Sequence, residues 1–154
     1  MEPNAKVLFL CTGNSARSQM GEALLRHHAG SYFEVYSAGL EPKGINPYTT
    51  RVLNEIGLDI REQRSKNVRE YMGFVHFGYM ITDCSDADTN CPTTFPGMGQ
   101  RLRWFFDDPA AVEGTDAEKL QAFRITRDLI DARIVEWLKE LGVSDEAPAH
   151  LANA

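Results

Sequence analysis

A chain of 154 residues, 43% apolar and 25% charged, has the make-up of one globular domain able to bury a core without disulfide or metal staples. A mean hydropathy of -0.34 leaves no stretch for a bilayer span, and the length and composition together exclude collagen-like, mucin-like and disordered classes. Lys and Arg number 16 against 22 Asp and Glu, a net charge of -6, so a non-specific grip on nucleic acid or an anionic membrane is not expected and any bound anion must be held locally. Three cysteines are an odd number for a disulfide framework. Met1 to Asn4 run into a strand pattern with no secretory segment, so a reducing, cytoplasmic setting is expected.

Lys6 to Cys11 is an apolar run of strand length, followed by Thr-Gly-Asn-Ser and then by Arg17 to His28, where Met20, Ala23 and Leu24 recur with helical spacing. Phe33 to Ala38 reads as a second strand closed by Gly39. Asn46-Pro47 is an N-cap with proline at the first position of a helix reaching Ile56, and Gly57 ends it. Phe77 to Asp83 reads as a third strand and Arg101 to Phe106 as a fourth. Asp116 caps a long helix to about Leu141, with Leu120, Phe123, Ile125, Leu129, Ile130, Ile134 and Trp137 expected on its core side. A single domain over residues 1–143 with a loose tail over 144–154 is expected. Strands alternating with helices predict an α/β fold, a four-stranded parallel sheet flanked by helices on both faces. Ligands bind such sheets at the carboxyl ends of the strands, where Cys11, Cys84 and Asp107-Asp108 each follow a predicted strand.

The segment Cys11-Thr12-Gly13-Asn14-Ser15-Ala16-Arg17-Ser18 has the pattern of an anion cradle. Loop and helix-terminal N–H groups point at one spot, Gly13 permits close approach, and Arg17 adds a fork able to pair two oxygens of a tetrahedral oxyanion. The same positive field lowers the pKa of Cys11, predicting a thiolate at neutral pH, with Asn14 and Ser18 placed to hydrogen-bond the sulfur and the loop. Asp108, beside the rings of Trp104, Phe105 and Phe106, is the candidate general acid, because a carboxyl beside apolar rings can stay protonated; Asp107 is a helper or a turn residue. Cys84 and Cys91 lack the spacing and partners of a zinc site, so no metal is assigned. In a helix their Cα atoms would lie roughly 10 Å apart, beyond the roughly 7 Å limit of a disulfide, so a redox pair would need that segment to loop or melt. Spacing leaves open a redox pair or two ordinary buried thiols. The histidines at 27, 28, 76 and 150 show no partner pattern, and Tyr48 and Tyr71 read as surface aromatics.

Four stretches, Cys11 to Met20, Tyr36-Ser-Ala-Gly39, Cys84 to Pro92 and Phe106-Asp-Asp-Pro-Ala110, resemble the thioredoxin-coupled arsenate reductases, which share the low-molecular-weight tyrosine phosphatase fold. The resemblance covers Lys6 to about Leu141. Its first and last motifs mark only the superfamily; the Cys84/Cys91 pair, and Gln19 where the phosphatases usually carry proline, mark the reductases. It implies an oxidoreductase without organic cofactor. Cys11 attacks arsenate and Asp108 protonates the departing oxygen; Cys84 then attacks Cys11, and Cys91 attacks Cys84, leaving a disulfide for thioredoxin to reduce. Phosphate and sulfate would compete at the loop, and a monomer is the expectation. Many relatives carry a further cysteine where this chain has Ala16, outside the three-thiol relay. Some bind a potassium ion near the loop; Asn14, Glu22 and Ser37 match its ligands, but Lys66 stands where an acidic residue is expected. Either an ammonium takes the ion's place or Lys66 is a solvated surface lysine. A tyrosine phosphatase using Cys11, Arg17 and Asp108, and a non-catalytic module that binds oxyanions or senses oxidants, are the competing readings.

Overall fold

In a computed structural model the structure describes residues 5–82 and 98–147. Strands β1 (Ala5–Cys11), β2 (Phe33–Gly39), β3 (Phe77–Thr82) and β4 (Met98–Arg103) form one parallel sheet in the order β2-β1-β3-β4. Helices α1 (Arg17–Ala29), α2 (Pro47–Asn54) and α3 (Asp116–Leu141) join one sheet face in a common core, where Val7, Phe9, Phe33, Val35 and Ile81 meet Met20, Leu24, Val52, Leu53, Phe123, Ile130 and Ile134. Among the described residues the second face is covered by the 3-10 turn Val68–Glu70 and the chain after it. There Leu8, Leu10, Met80 and Phe77 pack with Val68, Tyr71 and Met72. No helix among the described residues is long and apolar enough to cross a membrane.

The first three strands and first two helices lie where the sequence pattern puts them. Asn46 caps α2 by accepting from the Tyr48 N–H, with Pro47 at the first position; α2 itself stops at Asn54, and the turn ends on Gly57 at φ +82°. The fourth strand differs. Its register partner β3 ends at Thr82, opposite Arg103, and among the described residues one further bond, Trp104 N–H to the Thr82 carbonyl at 3.0 Å, extends the pairing. Trp104 then turns into the core against Phe9 and Trp137, while Phe105 is left exposed. The strand instead begins three residues early, at Met98, where Gly99 passes so close to β3 that a Cβ would lie 2.6 Å from the Gly78 carbonyl oxygen.

Helix α3 is capped by Thr115, whose hydroxyl accepts from the Glu118 N–H while the Glu118 carboxylate accepts from the Thr115 N–H; Asp116 is the first helical residue. Its buried stripe runs through Leu120, Phe123, Arg127, Ile130, Ile134 and Trp137, which leaves Ile125 and Leu129 exposed. Arg127 keeps a place in that stripe by donating to the Val52 carbonyl and to Glu55, both at 2.9 Å.

Asp145 and Glu146, inside the segment expected to be loose, are bonded to the body of the protein. Glu146 N–H donates to the His28 carbonyl at 2.7 Å, and the Glu146 carboxylate accepts from Ser31. The buried His28 ring meets Asp145 at 2.7 Å through Nδ1 and Asp131 at 2.6 Å through Nε2. Ionised carboxylates only accept, so both ring nitrogens donate and the ring is an imidazolium. Burial works to lower the His28 pKa, and the bonds to Asp131 and Asp145 outweigh it, so the net shift is upward from 6.5. A raised folded-state pKa adds stability that is fully present below the unfolded value and is lost as pH rises through the folded one. Urea denaturation should therefore show His28→Gln less stable by about 2 kcal/mol below pH 6.5 and the gap closing at alkaline pH. A gap that widens with rising pH would contradict the imidazolium.

Candidate active site

The β1–α1 loop is shaped by where its carbonyl groups go. The Cys11, Thr12 and Gly13 carbonyls accept from the N–H groups of Leu40, Glu41 and Lys43 at 3.3, 2.8 and 2.9 Å. Asn14 O accepts from the Gln19 side chain at 3.1 Å, Ser15 O from Asn46 N–H at 3.1 Å, and Ala16 O from Met20 N–H at 2.9 Å. A peptide N–H points opposite its own C=O, so with these carbonyls turned outward the N–H groups from Thr12 to Arg17 turn toward the loop's centre. Helix α1 begins beside them with no side-chain cap and no acidic residue in its first turn, so its N-terminal field stays directed at the loop.

Cys11 is buried at the end of β1, and its Sγ lies 2.9 Å from Ser18 Oγ. Asn14, fully buried at φ 47°, is the only non-glycine with positive φ among the described residues. Its Nδ2 donates to Ser18 Oγ at 2.8 Å and to Ser37 Oγ at 3.0 Å. Its Oδ1 accepts from Gln19 Nε2 and from the Lys66 N–H, both at 3.0 Å. Backbone N–H groups can only donate, so the orientation of the Asn14 amide is fixed. Asn14 takes one Ser18 lone pair, and the Ser18 hydroxyl can donate its proton to the sulfur when Cys11 is a thiolate.

Gly13 is not the point of closest approach. A Cβ there would meet only the flexible Lys43 side chain at 3.4 Å, whereas a Cβ at Gly39 would lie 2.7 Å from Thr12 O and 2.8 Å from Asn14 N. The Ser-Ala-Gly39 motif thus serves the loop from the neighbouring strand, with Ser37 beneath Asn14 and Gly39 making room for the backbone. Its position two strand residues apart on a strand parallel to β1 is the signal for both roles.

Arg17, with its side chain 13% exposed, donates from Nη1 to the Phe106 carbonyl at 2.9 Å and places Nη2 3.7 Å from Asp108 Oδ2. Asp108 is not enclosed by the rings before it. Trp104 is in the core, Phe105 is exposed, and the Asp108 side chain is 47% exposed while its Oδ1 accepts from Ala110 N–H at 3.0 Å. Chain reversal at Pro109, rather than an apolar pocket, sets its position; Asp107 is exposed. Cys84 and Cys91 lie outside the described residues. β3 ends two residues before Cys84, and Thr82 pairs with Arg103 while its other neighbour Leu10 directly precedes Cys11.

Beneath the loop is a buried charged cluster. Lys66 Nζ donates to Arg64 O at 2.8 Å and lies 3.4 Å from Ser37 Oγ, 3.5 Å from Asn14 Oδ1 and 3.9 Å from Glu22 Oε1. Ser37 Oγ donates to Glu22 Oε1 at 2.5 Å, and Arg26 reaches Glu22 Oε2 at 2.5 Å. Burial lowers the Lys66 pKa, opposed by Glu22. Lys66 is therefore not a solvated surface lysine. The potassium ion that the resemblance implies for some relatives does not fit here, because the ammonium already stands among the oxygens that would ligate it. Tyr71, read from sequence as a surface aromatic, is partly buried beside Tyr36 and Phe77, and burial pushes its phenol up to about 12. Tyr48 likewise packs on Phe123.

A thiol at a strand end, facing inward-turned amides and a guanidinium across from a carboxyl, defines a cysteine-dependent oxyanion site on a parallel α/β sheet. Residues 6–147 match the family model for low molecular weight phosphotyrosine protein phosphatase. An arsenate reductase of Halalkalibacterium halodurans is 46% identical over 132 residues, 85% of this chain and 94% of that protein. Among solved structures, a thioredoxin-dependent arsenate reductase of Corynebacterium glutamicum matches at 32% identity and TM-score 0.67, over 91% of this chain and 63% of that one. An arsenate reductase in its phosphate-binding state matches at 26% identity and TM-score 0.71, over 88% and 98%. The chain belongs to the low-molecular-weight phosphotyrosine protein phosphatase family, in its arsenate reductase branch.

The glycine contacts order two substitutions. Gly39→Ala should weaken phosphate binding at the loop about tenfold or more and lower stability by about 1–3 kcal/mol, the usual range for overpacking against backbone that cannot yield. Gly13→Ala, which meets only Lys43, should cost stability by less than about 1 kcal/mol. Isothermal titration with phosphate and urea denaturation measure both; a larger stability loss at Gly13 would contradict the assigned packing.

Proposed function

We propose that the protein reduces arsenate to arsenite through Cys11, Cys84 and Cys91, with thioredoxin as the final reductant. Cys11 acts as the nucleophile. The inward amides, Arg17 and the Ser18 hydroxyl all favour a charged sulfur over a neutral one. The thiolate attacks the arsenic of an oxyanion held by the amides of Thr12 to Arg17 and the Arg17 fork, and Asp108 gives a proton to the oxygen that leaves as water. This first step serves phosphate as well as arsenate and does not separate a reductase from a phosphatase.

The separation lies in the later thiols. Cys84 attacks Cys11 Sγ, a sulfur–sulfur bond forms, and the electron pair of the breaking sulfur–arsenic bond stays on arsenic, which leaves as arsenite. Cys91 attacks Cys84 and frees the Cys11 thiolate; a thioredoxin dithiol then reduces the Cys84–Cys91 bond. Two electrons pass from thiols to arsenic in each cycle, and a reducing cytoplasm suits such a relay. The observation that carries the reading over the phosphatase is the 46% identity to an arsenate reductase across 94% of that protein's length, joined in this sequence to a Cys84/Cys91 pair that phosphate transfer does not need. Arsenite production from arsenate with thioredoxin, thioredoxin reductase and NADPH tests it directly; hydrolysis of an aryl phosphate without arsenite production would restore the phosphatase.

The cysteines should fail in different ways. Cys11→Ser abolishes all chemistry. Cys84→Ser engages arsenate without releasing arsenite, and Cys91→Ser makes about one equivalent and stops as a Cys11–Cys84 disulfide. Single-turnover assays with peptide mass mapping separate these outcomes; sustained turnover by Cys91→Ser would remove that residue from the relay.

Asp108→Asn keeps the shape but not the proton, and rapid-quench measurement of the covalent intermediate should show its formation slowed about 10²–10⁴-fold. Asp107→Asn should lose less, and an equal or larger loss at Asp107 would shift the acid to that carboxyl.

A further inference from the structure

Four oxygens of different origin converge on Lys66 Nζ: the Arg64 carbonyl at 2.8 Å, the Ser37 hydroxyl at 3.4 Å, the Asn14 amide at 3.5 Å and the Glu22 carboxylate at 3.9 Å. Carbonyl, amide, hydroxyl and carboxylate oxygens are the hard donors that a free alkali or alkaline-earth cation takes. All three side chains are buried, with Asn14 and Ser37 fully so and Glu22 at 6% exposure, and Lys66 itself is 7% exposed. The cation sits directly below the loop. Asn14 Oδ1 accepts from Lys66, Asn14 Nδ2 donates to Ser18 Oγ, and Ser18 Oγ lies 2.9 Å from Cys11 Sγ.

We propose that the Lys66 ammonium is a tethered monovalent cation, which holds Asn14 in its left-handed conformation and makes the geometry of the oxyanion loop independent of any alkali cation in solution. Lys66 is then a positioning residue: it touches no substrate atom and acts on Cys11 through Asn14 and Ser18. Glu22 is shared between the buried Lys66 and the more exposed Arg26, so each of the two cations has a carboxylate oxygen, and Ser37 donates its hydroxyl proton to the oxygen nearer Lys66. Glu22 and Arg26 also line a solvent-open groove of about 810 Å³ with residues 59–63, which gives small cations a route to Glu22 once the amine is removed. The inference rests on the oxyanion-binding part of the proposed function and not on the relay, and none of its readouts requires arsenite.

The test compares wild type, Lys66→Ala and Lys66→Met in potassium chloride and in choline chloride at equal ionic strength. The readouts are the thermal midpoint, phosphate affinity by calorimetry, and the pH of half-maximal Cys11 alkylation. For the wild type all three should be the same in both salts. In choline, Lys66→Ala should melt about 5–15 °C lower, because Asn14 and the Glu22 oxygen on the Lys66 side lose the ammonium. Phosphate should bind it about tenfold more weakly, the scale of one charge-assisted hydrogen bond, and Cys11 alkylation should shift to higher pH. Potassium should restore much of each loss in Lys66→Ala. It should restore none in Lys66→Met, whose side chain fills the space without a charge. If Lys66→Ala does not fold in choline, recovery of a cooperative melt in potassium gives the same answer. A wild type that potassium stabilises as much as it does Lys66→Ala would overturn the proposal. So would a Lys66→Ala that keeps wild-type phosphate affinity and Cys11 reactivity in choline, or losses that potassium leaves unchanged.

Discussion

The Cys11 loop depends on the outward direction of its own carbonyl groups. An amide cradle exists only if the opposite ends of the same peptides are satisfied elsewhere, because a buried carbonyl without a donor costs as much as the cradle could gain. The carbonyls of Cys11 through Ala16 all have donors, supplied mainly by the chain between Leu40 and Asn46, with Ser65, Thr49, Gln19 and the Met20 N–H completing the set. At about 1 kcal/mol net for each bond, they outweigh the roughly 1–2 kcal/mol of a left-handed Asn14. The β2–α2 connection is in this sense part of the site although it carries no reacting group.

That frame explains how a chain of net charge -6 can bind an anion. Long-range attraction is absent, so the positive potential is built from dipoles and a few buried cations. From the groove inward the signs alternate: Arg26, Glu22, Lys66, then the neutral dipoles of Asn14 and Ser18, then the Cys11 sulfur. Each charge faces one of opposite sign, and the last dipole in the series, the Ser18 hydroxyl, lies 2.9 Å from the Cys11 sulfur. Exposed acidic residues elsewhere are screened within about 8–10 Å and do not cancel this field.

Sequence reasoning reached furthest where the determinants are local. Strand, loop and helix around Cys11 are contiguous, and their periodicities and the Asn46-Pro47 cap survive tertiary packing. It failed where a distant partner decides. β4 begins and ends where β3 offers hydrogen bonds, not where Trp104–Phe106 look most strand-like. Gly39 and Ser37 could be matched to a motif but not explained until parallel pairing brought Gly39 beside Cys11. His28 and Asp145 are 117 residues apart, and no local pattern announces their bond. The rings before Asp108 adjoin it in sequence but do not enclose it in space, because Trp104 turns into the core and Phe105 to the surface. Of the two Lys66 readings, burial selected the one in which its charge has partners.

The arrangement around Arg17 ties the two ends of the site into one unit. Its Nη1 bond to the Phe106 carbonyl fixes the start of the Asp107-Asp108-Pro109 turn, so the guanidinium that would meet an oxyanion also sets where the proposed acid stands. Within that acid the two oxygens are not equivalent. Oδ1 accepts from the Ala110 N–H at 3.0 Å, a bond a protonated oxygen would weaken, while Oδ2 is the oxygen on the Arg17 side. The Ala110 bond thus fixes which of the two oxygens faces Arg17. Loss of the Arg17 side chain would remove an anion contact and also free the Phe106 carbonyl, so the cost of that change exceeds what either role accounts for alone.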